Sequence, residues 1–195
     1  MLAQIVVRDG AGTNVPGAPS GWSGIRQDSA TDGNQLRLTS WLYYKTAGSS
    51  EPSSYSWSIS SQSAAGVMGA WRGVGGVLTP LDGDSGAAVT GLSPVSDAAP
   101  SLTPNVGDEL QVYFYGAQSP VQGPTITLPG ALTQRFNTVS SMEGFALGFA
   151  DLAAPSAGTA SPTYTATASG VSSAAFSAQA VILMPESFFG SLATP

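Results

Sequence analysis

The chain has 195 residues, a length that suits a single domain able to bury a sizeable core without disulfides. It contains no Cys and no His, which excludes disulfides, thiolate metal sites, thiol catalysis and any Ser-His-Asp triad. The net charge is −6 and the six basic residues are scattered, so nucleic acid is not an expected partner, because phosphate binding needs a basic patch.

Charged residues make up 9% of the chain, against a typical value of about 25%. A surface with so few charges is either rich in hydroxyl groups or covered by neighbouring subunits. No stretch approaches the roughly 20 apolar residues that cross a bilayer, and the N-terminus lacks the features of a signal peptide. We therefore expect no membrane partner and synthesis in the cytoplasm.

The chain opens with elements typical of a β protein. Residues 2–7 are an apolar run that predicts the first strand, and a Gly- and Pro-rich loop follows it. Residues 21–27 predict a second short strand. Residues 64–74 are rich in small apolar side chains, which suits a strand that another backbone approaches closely.

Residues 36–60 are predicted to form a central hairpin. Side chains in residues 36–45 alternate, so that Leu38 and Leu42 face one way while Trp41 and Tyr43 face the other. After a turn, residues 54–60 alternate three large apolar side chains with Ser, which predicts a strand with one dry and one wet face.

The rest of the chain consists of short apolar or alternating runs between turn signals. Residues 75–107 are dense in Gly and Pro, which favours loops with one short strand near residues 87–90. Further strands are predicted at residues 109–116, 125–128, 132–138, 144–150, 163–169 and 173–184.

This spacing, without a helical period, is typical of a β-sandwich or barrel. We predict an all-β antiparallel sandwich, jelly-roll-like, of roughly ten strands and no significant helix. One domain is expected over residues 1–184, with a C-terminal tail at 185–195. The apolar side chains of Phe188, Phe189 and Leu192 suit docking of that tail on a neighbouring subunit.

Asp82 and Asp84 are a weak candidate for a Ca²⁺ site, because Ca²⁺ prefers several oxygen ligands on a flexible loop. The stretch lacks the spacing of a twelve-residue Ca²⁺ loop, and Asp-Gly-Asp is common as a simple turn. The turn is therefore the preferred interpretation, and no metal or cofactor is expected.

A glycosidase would need two carboxylates about 5 to 9 Å apart. Glu51, Glu109 and Glu143 are the candidates, yet nothing in the sequence places two of them at that separation. We expect a protein that is not an enzyme.

Aromatic side chains on two predicted strands suggest a binding face. If residues 36–45 and 110–116 share a sheet, their outward aromatics would form a platform for stacking sugar rings, with polar side chains as its rim. The alternative, which is favoured, is that these side chains fill the core or a subunit interface. The residues of this face are Arg37, Trp41, Tyr43, Lys45, Gln111, Tyr113 and Tyr115.

Several short motifs together resemble a known module. They are GW at residues 21–22, YYKTAG at 43–48, EP at 51–52, YSW at 55–57 and AWRGV at 70–74. The chain resembles, over residues 1–184, a β-sandwich module of bacterial extracellular proteins and of tailed-bacteriophage virion proteins. The resemblance implies a concanavalin- or jelly-roll-like sandwich used for display, adhesion or particle building, and it suggests no catalytic residues.

We therefore expect a non-enzymatic structural protein of a tailed-phage particle, first of all a capsid decoration subunit, or else a tail or fibre component. Its partners would be further copies of itself and other virion proteins, and its location the virion after synthesis in the host cytoplasm. The alternative is a carbohydrate-binding adhesin module on a bacterial or virion surface, with glycans as partners and an extracellular location.

Overall fold

The computed structural model describes residues 1–9, 13–32, 36–60, 62–75, 80–139 and 144–186. These residues form twelve strands and no α-helix, so the predicted all-β antiparallel fold is confirmed. The strands are β1 (Leu2–Val7), β2 (Ser23–Thr31), β3 (Arg37–Tyr44), β4 (Ala64–Gly69), β5 (Leu81–Leu92), β6 (Val95–Ala99), β7 (Leu110–Gln118), β8 (Thr125–Thr127), β9 (Thr133–Val139), β10 (Phe145–Ala153), β11 (Tyr164–Ser169) and β12 (Ser173–Leu183).

The strands form three sheets that stack as layers. One outer sheet has four strands in the order β2-β3-β1-β4, and the middle sheet has five in the order β5-β12-β7-β10-β9. The second outer sheet has three strands in the order β6-β11-β8. Every pairing between these strands is antiparallel. This third sheet was not predicted from the sequence.

The central strands β12, β7 and β10 of the middle sheet are buried on both faces, which explains their nearly continuous apolar sequences. One face packs Val112, Phe114 and Val181 against Leu38 and Leu42 of the four-stranded sheet. The opposite face forms a second core with the three-stranded sheet, and small side chains along β12 keep that core compact. Its buried members include Tyr113, Tyr115, Ala166, Ala168, Ala174, Phe176, Ala178 and Ala180.

The alternation predicted for β3 is confirmed. Leu38 and Leu42 lie in the core beneath the sheet, while Tyr43 is buried on its outer face beside Trp41. The predicted hairpin partner of β3 is wrong, because β3 pairs with β1 and β2 instead. The backbone of residues 54–60 forms one isolated bridge, between Gly17 and Ser58, and otherwise no strand pairing among the described residues.

The prediction of loops over residues 75–107 is also wrong. β5 runs for 12 residues and pairs with β12 along its length, and β6 follows after a short turn. The sequence LDGDSGAAVTGL has low strand propensity, yet a long apolar neighbour supplies the pairing. Tertiary context therefore decides this element.

Candidate binding groove and free strand edges

An aromatic cluster covers the outer face of the four-stranded sheet. We call residues 45–60, which cross this face without joining the sheet, the covering segment. Trp22 lies between Tyr55 and Trp57 of this segment, with ring centroids 5.3 Å and 5.1 Å away in edge-to-face geometry. The alternation seen in residues 54–60 therefore reflects packing on a sheet, and not membership in one.

Lys45 holds the start of the covering segment in place. Its Nζ donates to the hydroxyl of Tyr55 at 2.7 Å and pairs with Glu51 at 2.5 Å, and Tyr55 also donates to Glu51. The Lys45 ammonium and the backbone N–H of Gly48 lower the pKa of Glu51. The charged end of β3 is thus a local anchor.

A groove remains where the covering segment stops short of β4. It has a volume of about 340 Å³, within the range of roughly 300 to 1,000 Å³ that is usual for binding pockets. Gly66 forms part of its floor, and a Cβ there would come within 2.8 Å of Ile5 Cδ1. The remaining lining is largely apolar: Ala3, Ile5, Tyr55, Trp57, Ile59 and residues 64–68 of β4.

Two free strand edges lie on the side of the sandwich that carries this groove. Among the described residues, β4 pairs only with β1, and β9 pairs only with β10. The opposite side is joined by an ion pair between β2 and β5, where Arg26 Nη1 lies 2.6 Å from Asp84 Oδ1. On the β4 and β9 side, the described strands thus have unpaired backbone next to an apolar groove.

A buried carboxylate fills the space between β4 and β9. Asp151 accepts hydrogen bonds from Trp71 Nε1 at 2.9 Å and from Arg135 Nε at 2.8 Å. The ring of Phe149 lies beside Trp71 and is stacked on Phe136, with centroid distances of 5.8 Å and 6.0 Å. This cluster fixes the position of β9 relative to the end of β4.

β9 itself is exposed along its whole length. All seven of its side chains are exposed, including those of Phe136 and Val139 at 39% and 44%. At a bulge in the pairing with β10, Arg135 has no counterpart in the register, and the residues from Phe136 onward continue regularly. β9 thus keeps one free backbone edge and partly exposed side chains among the described residues, although Phe136 and Arg135 also contact β10.

The predicted sugar-stacking platform does not form. β3 and β7 lie in different sheets, so the expectation that they share one is wrong. Tyr113 and Tyr115 are fully buried in the core under the three-stranded sheet, where their hydroxyls donate to Gln111 Oε1 at 2.6 Å and to the Tyr164 carbonyl at 2.9 Å.

The other members of that predicted face are also dispersed. Gln111 is fully buried, whereas the Arg37 side chain is exposed at the far end of β3 from Lys45. Tyr43 is buried in the aromatic cluster, and its hydroxyl donates to the Pro16 carbonyl at 3.0 Å. Desolvation raises the pKa of Tyr43 to about 12. These side chains serve packing at separate places.

Asp82 and Asp84 are bound to different partners. Asp82 accepts hydrogen bonds from the backbone and the side-chain amide of Asn105, at 2.7 Å and 2.6 Å. Asp84 pairs with Arg26 across the closed side of the sandwich. Within the described ranges, no cluster of three or more potential metal-binding side chains occurs.

Two further carboxyl groups are buried and carry raised pKa values. Glu109 is 2% exposed, and burial together with the charge of Asp82 raises its pKa to about 7. Asp97 is 4% exposed, and burial raises its pKa to about 6. Glu109 lines a surface depression formed with residues 153–157, whereas Glu51 belongs to the covering segment, so the two do not share a cleft.

Some predicted residues lie outside the described part of the chain. Glu143, the third carboxylate considered for glycoside hydrolysis, is one of them, and so are the tail residues Phe188, Phe189 and Leu192. The described part of the chain contains no helix with the length and hydropathy that crossing a bilayer requires.

The free edges were not identified from the sequence, although one signal exists. The sequence TQRFNTV of β9 has no apolar alternation, which distinguishes it from β3, β7 and β12. The groove leaves no local signal, because its walls come from β1, β4 and the covering segment.

Comparison with known proteins adds little to this description. No protein-family profile and no curated protein matches the chain. One solved structure, described as "Structure of infectious bursal disease virus Gx strain", aligns over 99% of this chain and 67% of its own chain, at 10% identity and a TM-score of 0.17. Similarity that low carries no argument about this chain.

Proposed function

We propose that this protein is a non-enzymatic structural subunit of a virus particle of the tailed-phage type. Its place would be the outer surface of the capsid, as a decoration subunit, or else the tail or a fibre. The observation that carries the proposal is β9, a strand with seven exposed side chains and, among the described residues, one free edge. Other copies of the chain and other virion proteins would be its partners.

A free edge such as that of β9 is a template for pairing with another chain. Proteins that stay monomeric usually protect such edges with charges, Pro or strong bulges. In β9 the only charged side chain is Arg135, which is held by Asp151, and residues 136–139 contain neither charge nor Pro. This edge therefore suits contact with a neighbouring subunit.

The distribution of charge supports the same proposal. Arg26, Lys45 and Arg135 form ion pairs with acidic side chains of the same chain. The remaining surface is poor in charge, since the whole chain has six basic and twelve acidic residues. Interface cores are typically depleted of charge, so such a surface is suited to assembly.

The chemistry of the chain supports a non-enzymatic role. With neither His nor Cys, carboxylates, Tyr and one Lys would have to carry any acid–base reaction. That Lys is bound to Glu51 and Tyr55, and Glu51 does not share a cleft with Glu109. Carbohydrate binding by the predicted aromatic face lacks its geometric basis, because three of the four aromatic side chains are buried, two of them under a different sheet.

The proposed contact is tested by measuring molar mass with size-exclusion chromatography and light scattering over a dilution series. We expect an oligomer that Val139→Lys weakens, because the added charge would be desolvated at the interface. Val121→Lys is the matched control, since Val121 is exposed at 75% in the turn after β7. A monomer at all concentrations, or equal weakening by both variants, would contradict assembly through β9.

A further inference from the structure

A pocket separate from the groove lies where the residues at the end of β4 meet β9 and β10. It has a volume of about 360 Å³, within the roughly 300 to 1,000 Å³ that is usual for binding pockets. Its charged lining residues are Arg72, Arg135 and Asp151, and its other lining residues include Gly69, Trp71 and Phe149. Guanidinium groups therefore outnumber carboxylates in this pocket, on a chain whose net charge is −6.

The buried carboxylate of Asp151 orients Arg135 in this pocket. The Asp151 side chain is 3% exposed, and its Oδ2 accepts a hydrogen bond from Arg135 Nε at 2.8 Å. The Arg135 side chain is 52% exposed, and among the described residues only its Nε is engaged. Because a guanidinium group has five N–H donors, the two Nη groups remain available to a ligand. Such a fork of donors matches the two oxygens of a carboxylate.

Arg72 adds a second guanidinium group to the same pocket. It is exposed, and among the described residues it takes part in no ion pair. Like charges that line one pocket repel each other, and a bound anion would offset that repulsion. The charges of Arg72 and Arg135 therefore favour a ligand with a negative charge.

The half-buried ring of Trp71 gives the pocket a fixed apolar wall. The ring lies against the backbone of Gly69, where a Cβ would come within 2.5 Å of Trp71 Cη2. It is in edge-to-face contact with Phe149 at a centroid distance of 5.8 Å, and its Nε1 donates to Asp151 Oδ2 at 2.9 Å. Three neighbours thus hold the ring in one position, which prepares it for contact with the apolar face of a ligand.

Asp151 also provides an acceptor. Its hydrogen bonds from Trp71 and Arg135 both end at Oδ2, so Oδ1 accepts none from the described residues. A hydroxyl group of a ligand can donate to this oxygen. A pocket that combines an aromatic wall, a hydroxyl acceptor and guanidinium donors suits an acidic sugar. An acidic side chain of a protein would use the guanidinium groups alone.

We propose that this pocket binds a sugar residue that carries a carboxylate, such as a uronic acid or a sialic acid. The carboxylate lies against Arg72 and Arg135, a hydroxyl group donates to Asp151, and an apolar face of the sugar ring packs on Trp71. The pocket is formed within one chain, so this inference does not depend on the proposed particle role.

The indole N–H signal of Trp71 in a two-dimensional NMR spectrum of the isotope-labelled chain tests the proposal, because this N–H donates to Asp151. Trp71→Phe identifies the signal among those of the four Trp residues. Titration with glucuronate, galacturonate and N-acetylneuraminate should give a saturable shift with at least one of them, and glucose should give none at the same concentration. No saturable shift with any of the three acidic sugars would overturn the proposal, and so would an equal affinity for glucose.

Arg72→Gln should weaken binding of the acidic sugar about tenfold, because a charge-assisted hydrogen bond is lost. Arg8→Gln is the matched control, since it removes the same charge elsewhere. The backbone N–H of Arg8 donates to the Ser63 carbonyl at 2.9 Å, just before β4 begins and at the opposite end of that strand from the pocket. Equal weakening by both variants would show a general effect of charge and would overturn the assignment to this pocket.

Glutarate separates a sugar from an acidic side chain of a protein as the source of the carboxylate. It carries carboxylates but has neither hydroxyl groups nor a sugar ring. We expect glutarate to bind more weakly than the acidic sugar, because it makes no use of Asp151 or Trp71. Equal affinity for glutarate would assign the pocket to carboxylates of any source and would overturn the preference for a sugar.

Discussion

The side-chain amide of Gln179 donates a hydrogen bond to Asp28, with 2.7 Å between Nε2 and Oδ2. This contact joins β12 of the middle sheet to β2 of the four-stranded sheet. The same Gln179 accepts from Ser40 at 2.8 Å and from Gln4 at 3.2 Å, and all three of these side chains are fully buried. A polar network thus connects the two layers inside an otherwise apolar core.

Replacing Gln179 should therefore destabilise the protein. Gln179→Leu removes the oxygen that accepts from Ser40 Oγ and from Gln4 Nε2, so these two buried groups keep only the 2.9 Å bond from Gln4 Nε2 to Ser40 Oγ. A buried hydroxyl proton without an acceptor costs about 1 to 3 kcal/mol. Ser177→Ala is the control on the same strand, because Ser177 makes only a long hydrogen bond of 3.3 Å to Gly116. Denaturant unfolding measures the free energy of unfolding of both variants. Equal losses of stability would contradict a structural role for the network.

Stability should fall as pH rises from about 4 to 7. Glu109 has a folded pKa of about 7 against an ordinary 4.5, and Asp97 has about 6 against 3.8. Both folded pKa values are raised, so the folded state holds these protons more tightly than the unfolded state, and the advantage is lost as pH rises through the folded values. The free energy of unfolding measured by denaturant across this range should decrease.

Two variants test whether Glu109 causes that pH dependence. Glu109→Gln should flatten the decrease between pH 5 and 7, because an amide stays neutral. Glu51→Gln should leave the decrease unchanged, because Lys45 lowers the pKa of Glu51. The contribution of Glu51 to stability is therefore lost only as pH falls. An unchanged slope in Glu109→Gln would contradict the assignment to this group.

Gly144 should tolerate substitution less well than Gly158, although both have positive φ. Their φ angles are +71° and +76°, a region that costs an L-residue roughly 1 to 2 kcal/mol. A Cβ at Gly144 would also lie 2.3 Å from the backbone oxygen of Ser119, whereas a Cβ at Gly158 would meet nothing within 4 Å. The melting temperatures of the Gly144→Ala and Gly158→Ala variants measure this difference. Equal decreases in melting temperature would argue against the clash with Ser119.

Trp22→Leu should loosen the covering segment. It removes the ring contacts with Tyr55 and Trp57 that hold this segment on the four-stranded sheet. Lys45 is the only Lys in the chain, so cleavage by a Lys-specific protease reports specifically on this segment. We expect cleavage at this bond to accelerate in Trp22→Leu.

Trp71→Leu serves as the control for that experiment. Trp71 contacts Phe149 and Asp151 near β9, away from the aromatic cluster. If it accelerated cleavage after Lys45 as much as Trp22→Leu does, the effect would reflect general destabilisation instead of release of the covering segment.

The sequence predicts those strands whose side chains alternate or form an apolar run of sufficient length. β3, β7 and β12 meet this condition, because each is buried through its own side chains. β5 does not, because its Gly- and Asp-rich sequence becomes a strand only by pairing with β12. Its existence therefore depends on a neighbour nearly one hundred residues away.

The candidate site was harder to predict than the fold, because it depends on which strands are neighbours. The alternation of β3 and β7 is compatible with a shared sheet, yet β7 lies in the middle layer and its Tyr113 and Tyr115 face a third sheet. The groove beside β4 likewise depends on where residues 55–59 lie across the sheet. Local patterns do not contain this information.

The proposed particle role is tested most directly by mass spectrometry of density-purified particles from the virus or prophage that carries this sequence. The account predicts peptides of this chain in the particle fraction, at copy numbers comparable with those of another structural component. Finding the chain only in the unassembled fraction of the same lysate would contradict it.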